Sequence, residues 1–336
     1  MRVAVFGAYG HTGRFVVAEL RERGYEPLPL GRDAGKLAAA FPGAEQRVAS
    51  VDDPGSLDRA LAGAAAVVNC AGPFASTAGP LIEAALRAGI PYVDVAAEIE
   101  ANRDTFADYA GRAEAAGVAV VPAMAFFGGL GDLLVTAAMG DWTAADEAHV
   151  AYGLSSWHPT AGTVAAGAVS RERRDGRRVR FTDGRLVYAD GDLPRLDWEF
   201  PAPLGVRPVL GEFTMADVVT VPSHLDIPEV CTYMTANAAG DLAAGDAPVA
   251  VDERGRSAQT FTVDVVVRAG DVRRRVVARG QDIYAISAPL AVEAVHRILT
   301  GRTRAKGVAS AGRIFDAPDL LRALSAHLTV ETLPAA

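Results

Sequence analysis

Along residues 1–121, short runs of aliphatic and β-branched residues alternate with longer segments in which apolar side chains recur every three or four positions. The runs fall at 3–6, 26–30, 46–48, 66–69, 92–95 and 118–121, and the helical segments at 12–24, 34–41, 54–61, 78–89 and 102–117. An unbroken apolar run suits a strand buried on both faces, whereas a 3.6-residue stripe suits a helix with one buried face. Strand and helix in regular alternation predict a parallel sheet, because each right-handed crossover lays a helix against it.

After Pro122 the texture changes. A connecting helix is predicted over 125–140, broken at its start by Gly128, Gly129 and Gly131. Alternating runs follow at 149–154, 179–187, 230–236, 260–267 and 272–278, a pattern that suits an antiparallel sheet. Frequent Pro and Gly between 190 and 228 predict loops and short pieces. Helical periodicity returns at 287–299, with Ser287 as cap and Pro289 in the first turn, and a last helix is predicted over 318–328 to close the first domain. With 336 residues, more than one core usually organises, the chain reads as an α/β protein in three parts. These are a Rossmann-type parallel sheet at 1–125, an inserted α+β domain at 126–281 and C-terminal helices returning to the first domain at 282–336.

Composition narrows the function. Half the residues are apolar and 22% are charged, the balance of a globular enzyme. A formal net charge of −8 argues against nucleic acid, whose phosphates need a concentrated basic face. Basic residues cluster only in the short runs at 171–180 and 273–275, and the second reads as a solvated hairpin. Cys70 and Cys231 lack the spacing of a disulfide framework or a zinc site, and no metal is expected. With no signal-like leader and no stretch of about 18 apolar residues, a cytoplasmic protein without membrane contact is expected.

Directly after the first run comes Gly7-Ala8-Tyr9-Gly10-His11-Thr12-Gly13, leading into a helix. Glycine permits a tight turn and close approach of backbone to a pyrophosphate, and the helix start offers free N–H groups and partial positive charge. The spacing Gly-x-x-Gly-x-x-Gly departs from the commonest dinucleotide fingerprint, but its strand-loop-helix context is the required one. Gly7, Tyr9, Gly10, His11, Thr12 and Gly13 are therefore expected to hold a dinucleotide. At the end of the second run, Gly31 stands where NAD enzymes carry an acid, Arg32 follows and Lys36 lies one turn on, which favours the 2′-phosphate of NADPH over NAD. Asp33 is the competing acid. Asp52 is read either as a contact to the adenine edge or as the cap of the next helix. The small-residue turn Asn69-Cys70-Ala71-Gly72-Pro73 falls at the carboxyl edge of the sheet, where open α/β sheets bind ligands.

Several of these segments resemble the saccharopine dehydrogenase-like oxidoreductases, including the trans-acting enoyl reductases of that superfamily. The resemblance is carried by Gly7 to Gly13 with Arg14, by Leu30-Gly31-Arg32 with Lys36-Leu37, and by Asn69-Cys70-Ala71-Gly72-Pro73-Phe74. Tyr92-Val93-Asp94 with Glu98 and the late Tyr284-Ala285 with Ala288-Pro289 add to it. It implies a nicotinamide-binding domain, an inserted α+β domain and chemistry in the cleft between them. Reduction of C=N or polarised C=C bonds is implied, with no substrate named. Ala125-Phe126-Phe127 departs from the Gly-Phe-Asp common in such proteins.

Hydride transfer needs positioning, a dry cleft and at most one proton donor. Glu98, just past the fifth run, and His158, in the loop 155–160, are the two candidate acids. Glu98 reads equally as a charge at a helix start, and His158 as a surface histidine. Tyr92 and Tyr284 are alternatives, and Asp94 reads as part of a strand-end network. The expected partner is a small-molecule substrate, free or carrier-bound, with a homodimer left open. A nucleotide-binding sensor without turnover, or a nicotinamide-using isomerase or epimerase, is the competing reading.

Overall fold

The structure is a computed structural model that describes residues 1–334. Its first part runs β1 (Arg2–Phe6), α1 (His11–Glu22), β2 (Glu26–Gly31), α2 (Ala34–Ala40), β3 (Arg47–Val48), α3 (Pro54–Leu61), β4 (Ala66–Asn69), α4 (Phe74–Ala88), β5 (Tyr92–Asp94), α5 (Ile99–Ala116) and β6 (Ala119–Val121). These strands form a parallel sheet in the order β6-β5-β4-β1-β2-β3. Successive residues of β1 serve opposite faces: Val3 and Val5 enter the core shared with α1, while Ala4 and Phe6 enter the one shared with α3 and α4. Local signals agree with the tertiary arrangement. The side chains of Asp33 and Asp53 cap α2 and α3, and Gly89 and Gly117 end α4 and α5 in the left-handed conformation.

An irregular turn at Phe126–Leu130, in which Phe127 and Gly128 leave helical geometry, leads into α6 (Gly131–Met139). Then come β7 (Glu147–Leu154), α7 (Ala161–Arg173), β8 (Arg178–Thr182), β9 (Arg185–Ala189), β10 (Arg195–Phe200), β11 (Gly205–Gly211), α8 (Asp217–Thr220), β12 (Glu229–Thr235), α9 (Ala236–Ala244), β13 (Thr260–Ala269) and β14 (Val272–Gln281). The chain ends with α10 (Ser287–Leu299), β15 (Gly307–Val308), α11 (Ala311–Ile314), α12 (Ala317–Ala323) and β16 (Leu328–Leu333). The second sheet has the order β10-β11-β12-β7-β13-β14-β16, with the β8–β9 hairpin attached to β12.

Three expectations change. The second sheet is mixed rather than antiparallel, because β12 pairs parallel with β7 across a crossover that contains α7. The segment 190–228 is not loop: it holds the β10–β11 hairpin, whose Trp198 and Phe200 cover Ala151 and Val209, and local Pro and Gly signals cannot register that packing. The helix expected over 318–328 stops at Ala323, and Leu328 starts a strand on β14. The C-terminal segment thus serves both sheets, for β15 also extends the first sheet beside β6. Its expected span of 282–336 runs two residues beyond the described ones. Between the sheets α10 packs on α1 and on β4 and β5, α6 packs on β13 and β14, and one apolar core runs through both.

Candidate functional site

The carboxyl ends of β1, β2, β4 and β5 open onto a cleft of about 1350 Å³, closed on its other side by α7, Trp157, Tyr284 and the 212–215 segment. Small-molecule pockets usually run from about 300 to 1000 Å³, so this one has room for a dinucleotide and a second molecule.

Its floor is the glycine loop. Gly7 has φ +79°, and a Cβ there would sit 2.9 Å from the backbone nitrogen of Ala71, so the loop and the β4 turn are in direct contact. A Cβ on Gly13 would come within 2.3 Å of the Gly7 carbonyl oxygen, which makes Gly13 the residue that lets α1 pack against its own loop. Gly10, at the cap of α1, supplies no side-chain acceptor to the first-turn N–H groups of His11, Thr12 and Gly13. They are the donors available to a pyrophosphate. Tyr9, Gly10, His11 and Thr12 line the cleft, whereas Gly13 lies behind it.

A Cβ at Gly31 would lie 2.5 Å from Tyr9 Cε1. The tyrosine ring therefore occupies the space in which an acidic side chain at position 31 would stand. Arg32, exposed on the cleft wall, has no acceptor among the described residues. Asp33 accepts from the Lys36 backbone N–H at 2.9 Å and is spent as the cap of α2. Lys36 lies outside the lining, its ammonium 4.0 Å from Asp33. Asp52 does line the cleft and accepts from the Ser50 hydroxyl at 3.2 Å. The alternative that Asp52 caps α3 is excluded, since Asp53 makes that contact.

At the β4 turn Cys70, Ala71, Gly72 and Pro73 face the cleft and Asn69 does not. Asn69 is buried: it donates to Thr77 Oγ1 and to the Tyr92 hydroxyl, both at 3.1 Å, and accepts from Ala71 N at 3.0 Å. Its role is to hold the turn in shape. Burial pushes the Cys70 thiol far above its ordinary pKa, so it stays a thiol. Asp94, also buried, accepts from Ala96 N and Ala123 N and from the Tyr92 hydroxyl, tying β5 to the 123 turn. Burial raises its pKa to about 6.

Of the two candidate acids, Glu98 lines the cleft and His158 does not. Both oxygens of Glu98 are engaged, accepting from Phe74 N at 2.6 Å and from Ala75 N at 3.1 Å, so the buried carboxylate caps α4 across the β5 turn. The helix start that it serves is thus α4 and not α5. Burial raises its pKa, the two backbone donors oppose the rise, and the charges of Asp94 and Glu100 add to it. The His158 carbonyl accepts from the Tyr284 hydroxyl at 3.3 Å, while its ring Nδ1 is buried without a partner. The two candidates are not brought together.

Residues to which the sequence reading gave another role or none complete the cleft. Tyr284, at the start of the return segment, accepts from Trp157 Nε1 at 3.1 Å and Thr160 N at 3.2 Å, and its hydroxyl meets Thr163 Oγ1 at 3.1 Å. It pins the start of α7 to the nucleotide side. His11 packs edge-on against the same ring, its Nε2 buried without a partner and its pKa lowered by burial. Phe126 and Phe127, with Tyr152 behind them and Trp157 beside them, form an aromatic wall. The helix α7 left one signal in the sequence, Thr160 as an N-cap ahead of an alanine-rich run that ends in arginines.

The sequence profile of the saccharopine dehydrogenase NADP binding domain matches residues 3–121. A probable mitochondrial saccharopine dehydrogenase-like oxidoreductase of Arabidopsis thaliana is 30% identical over 142 residues, which cover 37% of this chain and 31% of that protein. A saccharopine dehydrogenase-like oxidoreductase of Homo sapiens is 29% identical over 117 residues, covering 29% of this chain and 27% of the human one. These matches therefore span about a third or less of the curated relatives. Among solved structures, apo saccharopine dehydrogenase (L-Glu forming) from Saccharomyces cerevisiae superposes with a TM-score of 0.66, covering 99% of this chain and all of that one at 11% identity. Residues 3–121 thus match the saccharopine dehydrogenase NADP binding domain, and the chain shares the fold of saccharopine dehydrogenase over nearly its whole length.

Proposed function

We propose that the chain is an NADPH-dependent oxidoreductase that reduces a C=N or polarised C=C bond of a small metabolite or carrier-bound intermediate. The observation that carries this reading is a single continuous cleft, running from the acceptor-free Arg32 over the glycine loop to the aromatic wall of Phe126 and Phe127. The NADP binding domain at residues 3–121 supports the cofactor, and the printed names of the curated relatives support the reaction class. Bound NADPH would supply the hydride. Arg32 pairs with the 2′-phosphate, Tyr9 fills the space of a ribose-binding acid, and the first turn of α1 takes the pyrophosphate. Asn69 and Glu98 hold the turn at 70–73 and the start of α4 in place, with Glu98 acting as a positioning residue. Trp157, Phe126 and Phe127 exclude water from the hydride path.

One observation favours a second reading, a nucleotide sensor without turnover: the carboxylate best placed in the cleft, Glu98, has both oxygens occupied by backbone donors. Fluorescence titration of NADPH and NADH onto wild type and Arg32→Ala tests the cofactor assignment. Arg32→Ala should weaken NADPH by about 1.5–3 kcal/mol, the range for a hydrogen bond to a charged group, and leave NADH nearly unchanged. Equal loss for both nucleotides removes Arg32 from that role. Substrate-dependent NADPH oxidation over a panel of imines and activated alkenes separates the reductase from the sensor.

A further inference from the structure

Across the sheet from Arg32 the cleft ends at the last turn of α7 and the start of β8, where Arg171, Arg174, Arg177 and Arg178 all contribute to its lining. The acids lining that end are Glu212 and Asp192, so positive charge is in excess there. From β2, which carries Arg32, to β5, which leads into α5 beneath this cluster, there are three strand spacings, or about 14 Å. The ion pairs of Arg173 and Arg174 with α5 put the cluster on the β5 side of the sheet, away from Arg32.

The usual account of cations at this position is that they offset the dipole of a helix C-terminus. It suffices for Arg173, which points away from the cleft to Asp104 at 2.6 Å. It also suffices for Arg177, whose Nε donates to the Arg174 carbonyl at 3.1 Å at the end of α7, but not for Arg171, Arg174 and Arg178. Arg171 is exposed on the cleft wall with no acceptor among the described residues. Arg174 and Arg178 each keep a buried Nε without a partner. Arg174 is only loosely paired with Glu100, at 3.8 Å, and Glu100 already takes the Ser170 hydroxyl. Arg178 lies 3.3 Å from Glu212, which also faces Arg180 at 3.7 Å, and Arg177 lies 3.4 Å from Asp175. Buried donors left unpaired cost about 1–3 kcal/mol each, a cost that a ligand with acceptor oxygens removes.

We propose that the Arg171–Arg178 end of the cleft binds an anionic group of the substrate, a carboxylate or a phosphate, held about one sheet half-width from the cofactor's 2′-phosphate. The proposal rests on the reading of the cleft as a joint cofactor and substrate site. It makes substrate selection electrostatic at one end and apolar at the aromatic wall, so that the reducible bond lies between an anionic tail and the nicotinamide.

Titration calorimetry on the NADP-saturated protein, with succinate in one arm and inorganic pyrophosphate in the other, tests this directly. One of the two probes should bind with unit stoichiometry, which identifies the anion as carboxylate or phosphate. Arg171→Ala, an exposed substitution that leaves the core untouched, should weaken that probe about tenfold or more, and Arg171→Lys should recover part of the loss. NADP affinity should be equal in all three proteins. Binding of neither probe, equal binding to wild type and Arg171→Ala, or a parallel loss of NADP affinity in the variant would overturn the proposal. If the wild type fails to bind NADP, the cofactor reading falls by itself. The same titrations without nucleotide then decide the anion site by whether probe binding depends on Arg171.

Discussion

The two walls of the cleft are built differently. On the nucleotide side, Gly7 and Gly13 sit so close to Ala71 and to the loop's own backbone that a methyl group does not fit, and Asn69, Asp94 and Glu98 each accept from backbone N–H groups of the neighbouring turns. On the opposite side α7 buries only Ser170 among its thirteen residues and is held at its ends, by Tyr284 at one and by Glu100 and Asp104 at the other. The contrast teaches that the nucleotide wall is preorganised, with no room to adjust, while the α7 wall is thinly packed, as segments of low local stability are.

The largest test of that contrast is Gly13→Val. Overpacking against the Gly7 carbonyl should cost about 3 kcal/mol of stability and abolish NADPH binding, as read by thermal melting and fluorescence titration. A folded variant with normal NADPH affinity would show that this wall has slack.

The buried carboxylates on either side extend the comparison to pH. Asp94 beneath the nucleotide turn has its pKa raised to about 6, and Asp217, which accepts from the Tyr152 hydroxyl behind the aromatic wall, to about 7, both chiefly through burial. In each case the folded state holds its proton to higher pH than the unfolded state does. The stability they contribute is full below about pH 4 and is lost as pH rises through 6 and 7. Chemical denaturation between pH 4 and 8 should reveal a fall of about 3 kcal/mol from Asp94 and about 4 kcal/mol from Asp217, flattened separately by Asp94→Asn and Asp217→Asn. An unchanged slope in Asp94→Asn would mean that the carboxylate is ionised throughout.

Tyr284→Phe strips the acceptor from Trp157 Nε1 and Thr160 N, and should cost about 1–3 kcal/mol. Because these contacts lie on the α7 side, substrate KM should rise while NADPH affinity holds, and an equal change in both would show that the two walls are mechanically coupled. The smallest effect is expected at Gly167 of α7, where a Cβ would meet nothing within 4 Å. Gly167→Ala should add about 0.5–1 kcal/mol to stability by lowering backbone entropy in the unfolded chain, and a loss there would mean that α7 is packed more tightly than it looks.

The alternating elements of residues 1–121 were legible because each strand is buried on both faces and each helix on one, so burial writes a period into the sequence. The glycine loop, Arg32 and the turn at 70–73 were legible as cleft lining because the carboxyl-edge turns of a parallel sheet carry glycine and other small residues at short spacing. The helix α7 was nearly silent: an exposed helix with small residues on the cleft side has no apolar stripe to show. The hairpin β10–β11 was hidden by its Pro and Gly residues, since what holds it is the packing of Trp198 and Phe200 on Ala151, far back along the chain. Glu98 was singled out for its position, but only its distance from the Phe74 and Ala75 amides shows that both oxygens are taken.

What the amino-acid sequence determined by itself was therefore the nucleotide-binding half: its element order, its glycine loop and the basic residue at the end of β2, all set by contacts between near neighbours in the chain. What the tertiary structure alone decided was the other half of the cleft. Tyr284 meets Thr160, β15 and β16 split between two sheets, and Arg171, Arg174, Arg177 and Arg178 line the cleft. These are contacts across roughly fifty to nearly two hundred residues, or orientations of exposed side chains, and neither leaves a local period for a sequence to carry.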